Sequence, residues 1–167
     1  IIGLAFKISA VPFHFWAPDV YQGSPTPVAG FLSTASKAAG FVVLLRLFVI
    51  AFPEISVDWT FILAIIATLT MTLGNFLAIA QKNIKRMLAY SSVAHAGYAL
   101  VGLAALNPQS HGALLFYSLV YMLMQVGAFG VVAELERKGE GLNIDDYAGL
   151  SSRRPLLAAI MAIVGPP

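Results

Sequence analysis

Cysteine and charged residues are in shortest supply in this sequence of 167 residues. It contains no cysteine, which excludes a disulfide framework, a thiolate metal site and a cysteine-ligated iron–sulfur cluster in this chain. Charged residues make up only 11% of the sequence, whereas an average soluble domain carries about 25%. A chain with so few charges cannot cover its whole surface with groups that face water.

Apolar residues take the place of the missing charges. The chain is 59% hydrophobic and its mean hydropathy is +0.81. Apolar runs of about 20 residues recur, which is typical of an α-helical membrane protein with several spans. We therefore expect an all-α, polytopic membrane helix bundle surrounded by a lipid bilayer. The net charge of +2 is too small to indicate nucleic-acid binding, so no nucleic-acid partner is expected.

Polar residues divide the chain into six apolar segments. Those in the middle are long enough to cross a hydrocarbon core of about 30 Å at about 1.5 Å per residue. The first and last are too short, and both lie at a chain end, so we interpret residues 1–167 as a fragment of one membrane domain. The predicted spans are 1–17 (partial, broken near Pro12), 28–52, 59–81, 87–106, 111–133 and 156–167 (partial).

The basic residues of the loops predict the orientation. Loops 82–86 and 134–154 hold seven of them, whereas the alternate loops, 53–58 and 107–110, contain no lysine or arginine. By the positive-inside rule, loops 82–86 and 134–154 lie on the cytoplasmic side. A bacterial inner membrane is the expected location, with an organelle membrane as the alternative.

Four of the ionisable side chains in the apolar segments are candidate proton carriers: Lys7, His14, Lys37 and His95. Lys37 lies near the middle of its run, where a lysine costs at least about 2.5–3.5 kcal/mol on insertion scales. Such a group should face a partner or a wet cavity, and a desolvated lysine can take up and release a proton. We expect Lys7 and Lys37 to handle protons, the alternative being a purely structural role. Any acidic partner at membrane depth would come from outside this sequence.

The two histidines extend this predicted proton relay. Ser91, His95 and Tyr98 share one helix face, and an imidazole can pass a proton between its two nitrogens. A hydrogen-bonded core histidine is the alternative at this position. His14 follows Lys7 by seven residues, which is two helical turns if the helix resumes beyond the predicted break. Three scattered histidines without cysteine or an intramembrane carboxylate make a poor ligand set, so no metal site is predicted.

Two further polar stripes carry no site prediction. Thr68, Thr72 and Asn75 share a helix face, as do Tyr117, Tyr121 and Gln125. Either stripe could line a hydrated path, and hydrogen bonds between helices explain both equally well.

Proline predicts a break in the first apolar segment. Pro12 has no backbone N–H and clashes with the preceding turn, so a helix through residues 7–17 should kink or break there. Transporters place such breaks near the middle of the membrane, where polar groups or water satisfy the freed backbone. Lys7 would then lie near the C-terminal end of the first half-helix, where the helix dipole favours a cation.

Two blocks of the sequence resemble a known family. They are GLAFKISAVPFHFWAPDVYQGSPTPVAGFLSTASKAAGF at 3–41 and QKNIKRMLAYSSVAHAGYALVGL at 81–103. Both are similar to signature blocks of the antiporter-like, proton-translocating membrane subunits of respiratory complex I, the NADH:quinone oxidoreductase. The form PDVYQGSPTP at 18–27 resembles one of the three sister subunits more than the other two.

This resemblance implies a fold and a role. The chain would form part of the second inverted five-helix repeat, with a broken helix near its N-terminus. Lys7, Lys37 and His95, with His14 beside them, would belong to a proton path driven by electron transfer in other subunits. The fragment alone would not be catalytic, since the family's glutamate and last lysine fall outside it.

The resemblance also implies what this chain would not hold. It would bind no cofactor itself. Its partners would be the other membrane and peripheral subunits of the complex, and these would hold the flavin, the iron–sulfur clusters and the quinone. Three alternatives remain open: a subunit of a related multi-subunit cation/proton antiporter, a subunit of a membrane-bound hydrogenase, and a structural membrane subunit whose lysines serve only packing.

Overall fold

The computed structural model describes residues 2–51, 56–105 and 107–165, and helices dominate them. The described part contains no β-strand, only one isolated antiparallel bridge between Asn83 and Asn143. The predicted all-α class is therefore confirmed. The helices are α1 (Ile2–Ile8), α2 (Trp16–Gly23), α3 (Thr26–Ala51), α4 (Ser56–Ile79), α5 (Ile84–Ala104), α6 (Pro108–Arg137), α7 (Leu150–Arg153) and α8 (Pro155–Val164), with a 3-10 turn at Ile144–Tyr147.

Four of these helices are long and apolar enough to cross a membrane. They cover Thr26–Ala51, Trp59–Ile79, Ile84–Ala104 and Gln109–Arg137. The predicted membrane helix bundle with several spans is confirmed. The predicted segment limits at residues 1, 52, 106 and 167, and residues 53–55 of the predicted loop 53–58, lie outside the described residues.

The first apolar segment is broken, as the proline predicted. Helix α1 ends at Ile8, and turns occupy residues 9–15 before α2 begins. The break starts one turn before Pro12 because Ser9 adopts a left-handed backbone conformation with φ of 61°. The freed backbone is partly satisfied by another helix, since Val11 N–H donates to Thr70 Oγ1 of α4 over 3.1 Å. A buried hydroxyl thus replaces the helical partner of that N–H group.

Helix α3 runs continuously but contains two π-helical turns, at Leu32–Ser36 and Leu47–Ala51. In the first, the hydroxyls of Ser33 and Thr34 both donate to the carbonyl of Gly30, at 2.8 Å each. A π-turn changes the direction in which the residues after it point around the helix axis. Lys37 comes directly after this turn and points into the bundle.

Helices α4 and α5 form a closely packed hairpin. A Cβ atom at Gly74 would lie 2.6 Å from the backbone nitrogen of Ala94, and one at Gly97 would lie 2.7 Å from that of Met71. Only glycine allows the two backbones to come this close. The side chain of Asn83 begins α5 by accepting hydrogen bonds from the N–H groups of Lys85 and Arg86.

Helix α5 lies at the centre of the bundle. It packs against α2, α3, α4 and α6. Of its most apolar 18-residue stretch 67% is buried inside the protein, against 28–33% for the other three spans. Large apolar side chains such as Phe61, Phe76 and Phe116 point outward from α4 and α6. An outward apolar surface around a more polar centre suits a bilayer, where lipid rather than water surrounds the protein.

The two basic loops meet at one end of the bundle. Ile84 N–H donates to the carbonyl of Leu142, and Ile144 N–H donates to that of Lys82. Lys85, expected to be a loop charge, is instead buried in the first turn of α5, where Nζ donates to the carbonyl of Ser24. In the same loop region, partial burial beside acidic side chains raises the pKa of Tyr147 to about 12, so its hydroxyl stays neutral.

Candidate functional site

Lys37 forms the centre of a buried polar cluster. Its side chain is 2% exposed, and Nζ donates to the carbonyl and the hydroxyl of Ser92 on α5, at 2.9 and 2.6 Å. Among the described residues no carboxylate pairs with it. The ammonium group therefore has two neutral oxygen acceptors, which leaves its third N–H group without a partner in the described part of the chain.

A small cavity joins Lys37 to His95. It measures about 10 Å³, about the space of one water molecule. The polar side chains in its wall are Lys37, His95, Tyr117, Ser118 and Tyr121, contributed by α3, α5 and α6. A cavity of this size with several polar groups can hold a bridging water between the lysine and the histidine.

Three tyrosine rings surround His95. Its Nδ1 atom lies 2.5 Å from the hydroxyl of Tyr117, and its ring centroid lies 4.8 Å from that of Tyr121. Tyr98 meets the imidazole edge-on, with 5.5 Å between centroids, and its hydroxyl accepts a hydrogen bond from Asn75 over 2.7 Å. The aromatic rings thus hold the imidazole in one orientation, with one nitrogen bonded to α6.

Further hydroxyl groups converge on Ser92 from two other helices. The hydroxyls of Tyr21 on α2 and Tyr121 on α6 both approach it, although neither makes a hydrogen bond of good geometry. Oε1 of Gln125 is buried next to this group and is likewise unpaired. The polar cluster therefore extends along α6 from Tyr117 through Tyr121 to Gln125.

Lys7 does not join this cluster. It lies in the last turn of α1 and is exposed on the surface of the described helices. Its aliphatic stem lies against Gly40, where a Cβ atom would come within 3.7 Å of Cγ. Gly40 follows Lys37 by three residues on α3, so the two lysines flank the same helix while only Lys37 points inward. The predicted role of Lys7 in the relay stays a prediction.

His14 lies in the break between α1 and α2. Its side chain is 4% exposed, and Nδ1 is buried without a hydrogen-bond partner, as is the hydroxyl of Ser9. The imidazole packs against Phe15, with 4.3 Å between centroids. The structure gives it no contact with Lys37 or His95 among the described residues, so its predicted place in the relay also stays a prediction.

The polar stripes noted in the sequence differ in whether they face the inside or the outside of the bundle. Tyr117, Tyr121 and Gln125, which carried no site prediction, face the cluster of Lys37 and His95. Thr68 and Thr72 are exposed and donate to carbonyls of their own helix.

On α5 the partner of Lys37 is Ser92 rather than Ser91 of the predicted stripe. The i, i+4, i+8 spacing of the α6 stripe was the available signal, but spacing alone does not distinguish an inward from an outward face.

No metal centre is apparent in the described part of the chain. It contains no group of three histidine, aspartate or glutamate side chains that could hold an ion. The lysine, imidazole and phenol groups of the cluster are groups that can exchange protons.

Comparisons with known proteins agree with this architecture. Residues 1–165 match the family described as NADH:quinone oxidoreductase/Mrp antiporter, TM. NADH-quinone oxidoreductase subunit N of Trichlorobacter lovleyi is 53% identical over 164 residues, which is 98% of this chain and 34% of that protein. Subunit N of Heliobacterium modesticaldum is 54% identical over 164 residues, 98% of this chain and 35% of the relative. The chain thus spans about a third of the length of the curated relatives it matches.

Solved structures share the fold. A chain of respiratory complex I from Thermus thermophilus matches with a TM-score of 0.77 and 42% identity, covering 98% of this chain and 36% of the other. A chain of an archaeal membrane-bound sulfane sulfur reductase matches with a TM-score of 0.86 and 28% identity, covering 98% and 34%.

The Mrp complex of Dietzia sp. DQ12-45-1b is more distant. One of its chains matches with a TM-score of 0.76 and 24% identity, covering 81% of this chain and 25% of the other, which shows the fold alone. Together with the family match over residues 1–165, these similarities confirm the resemblance read from the two signature blocks. The chain belongs to the NADH:quinone oxidoreductase/Mrp antiporter family of membrane proteins, and its curated relatives carry the name NADH-quinone oxidoreductase subunit N.

Proposed function

We propose that the complete protein is a proton-translocating membrane subunit of an NADH:quinone oxidoreductase. Protons pass through a buried relay that contains Lys37 and His95, with Lys7 and His14 as further members. The observation that carries this proposal is the environment of Lys37: 2% exposed, without a carboxylate among the described residues, and beside a small cavity that it shares with His95.

Burial is the physical reason why Lys37 suits this role. A lysine at membrane depth costs several kcal/mol in its charged form, and the two oxygen atoms of Ser92 offset only part of that cost. The charged and neutral forms are thereby brought closer in free energy than they are in water. Small changes in nearby charge then decide whether the side chain holds its proton.

The energies needed for pumping match this type of control. Moving one charge against about 100 mV costs about 2.3 kcal/mol, and one pKa unit corresponds to about 1.4 kcal/mol. A change of about two pKa units at one relay group is therefore enough to drive one step. We infer that electron transfer in partner subunits, which hold the flavin, iron–sulfur clusters and quinone, supplies the change in charge.

The same proposal includes location and orientation. The protein lies in a bacterial inner membrane, with loops 82–86 and 134–154 on the cytoplasmic side. Lipid and the partner subunits share the outward apolar surfaces of the bundle. The hydrophobic side chains that point outward and the absence of basic residues from loops 53–58 and 107–110 support this arrangement.

Substitution of Lys37 in the full-length subunit tests the proposal. In complexes reconstituted in liposomes, Lys37→Ala should lower the proton flux carried by this subunit by about 10²-fold, the scale of a lost acid–base group. Lys37→Arg should be equally impaired, because arginine keeps the charge but does not release its proton. Lys82→Ala, an exposed loop lysine, is the matched control and should pump like the parent. Parental proton pumping by a fully assembled Lys37→Ala complex would refute the proposal.

A cation/proton antiporter subunit or a hydrogenase subunit is the competing role within the same family. Purification separates the antiporter from our proposal, because an antiporter complex lacks flavin and iron–sulfur subunits. Recovery of the full-length protein in a complex without either redox group would favour the antiporter.

A further inference from the structure

The shortest polar contact of His95 is with a residue that the relay proposed above does not include. Its Nδ1 atom lies 2.5 Å from the hydroxyl of Tyr117, which comes from a different helix and is half-buried. No other hydrogen bond of the imidazole occurs among the described residues. Because Nδ1 is occupied in this way, Nε2 is the nitrogen left to exchange a proton.

We propose that Tyr117 is a further proton-transfer residue, the partner through which His95 passes its proton onward; this inference rests on the proposed function. When Nε2 takes up a proton, Nδ1–H gives its proton to the Tyr117 oxygen. The phenol at the same time gives its own proton to a water molecule on its far side. At the end of the step the imidazole is neutral with its proton on Nε2 instead of Nδ1, the phenol oxygen again holds one proton, the water has gained one proton, and no electron is transferred.

His95 and Tyr117 lie at the same depth in the bundle, so a transfer between them runs across the bundle from α5 to α6. His95 lies nine residues before the end of α5 at Ala104, and Tyr117 lies nine residues after the start of α6 at Pro108. Both are therefore about 14 Å from the end of the bundle opposite the basic loops, at about 1.5 Å per residue. Tyr121 and Gln125 lie successively farther from that end. Tyr117 is thus the tyrosine of the α6 stripe nearest to the side with no lysine or arginine in its loops.

The competing interpretation is an ordinary hydrogen bond that only holds the imidazole in place. The chain offers a matched control for it, because Tyr98 also packs against His95 but directs its hydroxyl to Asn75. Removing the hydroxyl from Tyr98 keeps the ring contact with the histidine and deletes the same number of atoms. A difference between the two variants therefore compares loss of the hydroxyl bonded to Nδ1 with loss of the hydroxyl bonded to Asn75.

The experiment uses the complete complex in liposomes, with Tyr117→Phe, Tyr98→Phe, His95→Gln and the double variant His95→Gln/Tyr117→Phe. We expect Tyr117→Phe to lower the proton flux through this subunit by about 10²-fold, and Tyr98→Phe, which removes no hydrogen bond of the imidazole, to lower it far less. The double variant should lose no more than His95→Gln, because residues that act as one unit give non-additive losses.

Replacement of Tyr117 by 3-fluorotyrosine supplies a readout that a structural role would not change. This analogue keeps the hydroxyl but makes it more acidic, so pumping should return while the alkaline limb of its pH profile moves to lower pH. The other titratable groups that face His95 are Lys37, Tyr98 and Tyr121, and all three are unchanged in this comparison. The analogue also keeps the test valid if Tyr117→Phe fails to assemble.

The outcomes are distinguishable from a failure of the proposed function. Equal pumping by Tyr117→Phe and Tyr98→Phe would overturn the role of Tyr117, as would full recovery with 3-fluorotyrosine at an unchanged pH profile. Parental pumping by Lys37→Ala would instead refute the relay through Lys37. A loss in Lys37→Ala combined with parental pumping in Tyr117→Phe would leave the proposed function standing and remove only this inference.

Discussion

A single serine determines how Lys37 is held. Ser92 presents its carbonyl and its hydroxyl to the same ammonium group, at 2.9 and 2.6 Å. Hydrogen bonds to charged groups contribute about 1.5–3 kcal/mol each, more than those between neutral groups. Ser92 is itself fully buried, so water cannot take over either bond. The position of the lysine in the cavity therefore depends on this one residue of α5.

Removal of the Ser92 hydroxyl tests that dependence. We expect Ser92→Ala to lower the stability of the subunit by about 1.5–3 kcal/mol, because Nζ keeps only the carbonyl acceptor. The measurement is the thermal melting of the full-length protein in detergent, with proton pumping measured in liposomes. Ser91→Ala is the matched control, because Ser91 is also buried but has no bond to Lys37. Equal melting temperatures for the two variants would show that the hydroxyl does not stabilise the lysine.

At the scale of elements, the broken helix depends on a neighbouring helix as much as on its proline. The N–H group of Val11 would be unpaired inside the protein without Thr70, whose side chain is 0% exposed. Thr70 also donates to the carbonyl of Ile66 in its own helix, over 2.6 Å. The hydroxyl thus connects α4 to the break, which places α1, with Lys7, relative to the hairpin of α4 and α5.

Substitution of Thr70 by valine should destabilise this break. The change keeps the shape of the side chain but leaves a buried N–H group without an acceptor, at a cost of about 1–3 kcal/mol. Thr72→Val is the control, because Thr72 also donates to its own helix, over 2.8 Å to Thr68, but is exposed. Proteolysis within residues 9–15 and thermal melting in detergent measure the effect. A Thr70→Val protein as resistant and as stable as Thr72→Val would contradict this account.

For the whole molecule, the two basic loops form one connected end. Arg86 pairs with Asp19 at 2.5 Å, and backbone hydrogen bonds join the segments around Lys82 and Ile144. The four long helices therefore begin and end at two distinct surfaces, one basic and one without basic loop residues. Exposed ion pairs contribute little to stability, so we assign this end a role in orientation.

Cysteine labelling tests the orientation, and the sequence has no cysteine of its own in this region. In inside-out vesicles with the remaining cysteines of the complete subunit replaced, Lys82→Cys should react with an impermeant maleimide. Gln109→Cys, an exposed residue at the opposite end, should react only in right-side-out vesicles or after permeabilisation. The reverse pattern would place the basic loops outside and contradict the positive-inside assignment.

Much of this architecture follows from local features of the sequence. Apolar run length predicts membrane helices because the bilayer sets a minimum length for them, and Pro12 predicts the break because proline cannot continue a helix. The inward position of Lys37 was also expected, since a lysine in the middle of an apolar run avoids lipid by pointing into the bundle. Each of these inferences depends on neighbours in the chain or on the surrounding lipid.

The sequence by itself determined the all-α class, the break in the first helix and the membrane depth of Lys37 and His95. Tertiary structure alone decided that Lys37 bonds to Ser92 rather than Ser91, that His95 meets Tyr117 from another helix, and that Lys7 lies on the outer surface of the described bundle. The physical reason is that these contacts depend on the rotation of each helix about its axis. That rotation is set by π-turns and by close backbone packing between helices. The packing involves residues that are far apart in the sequence.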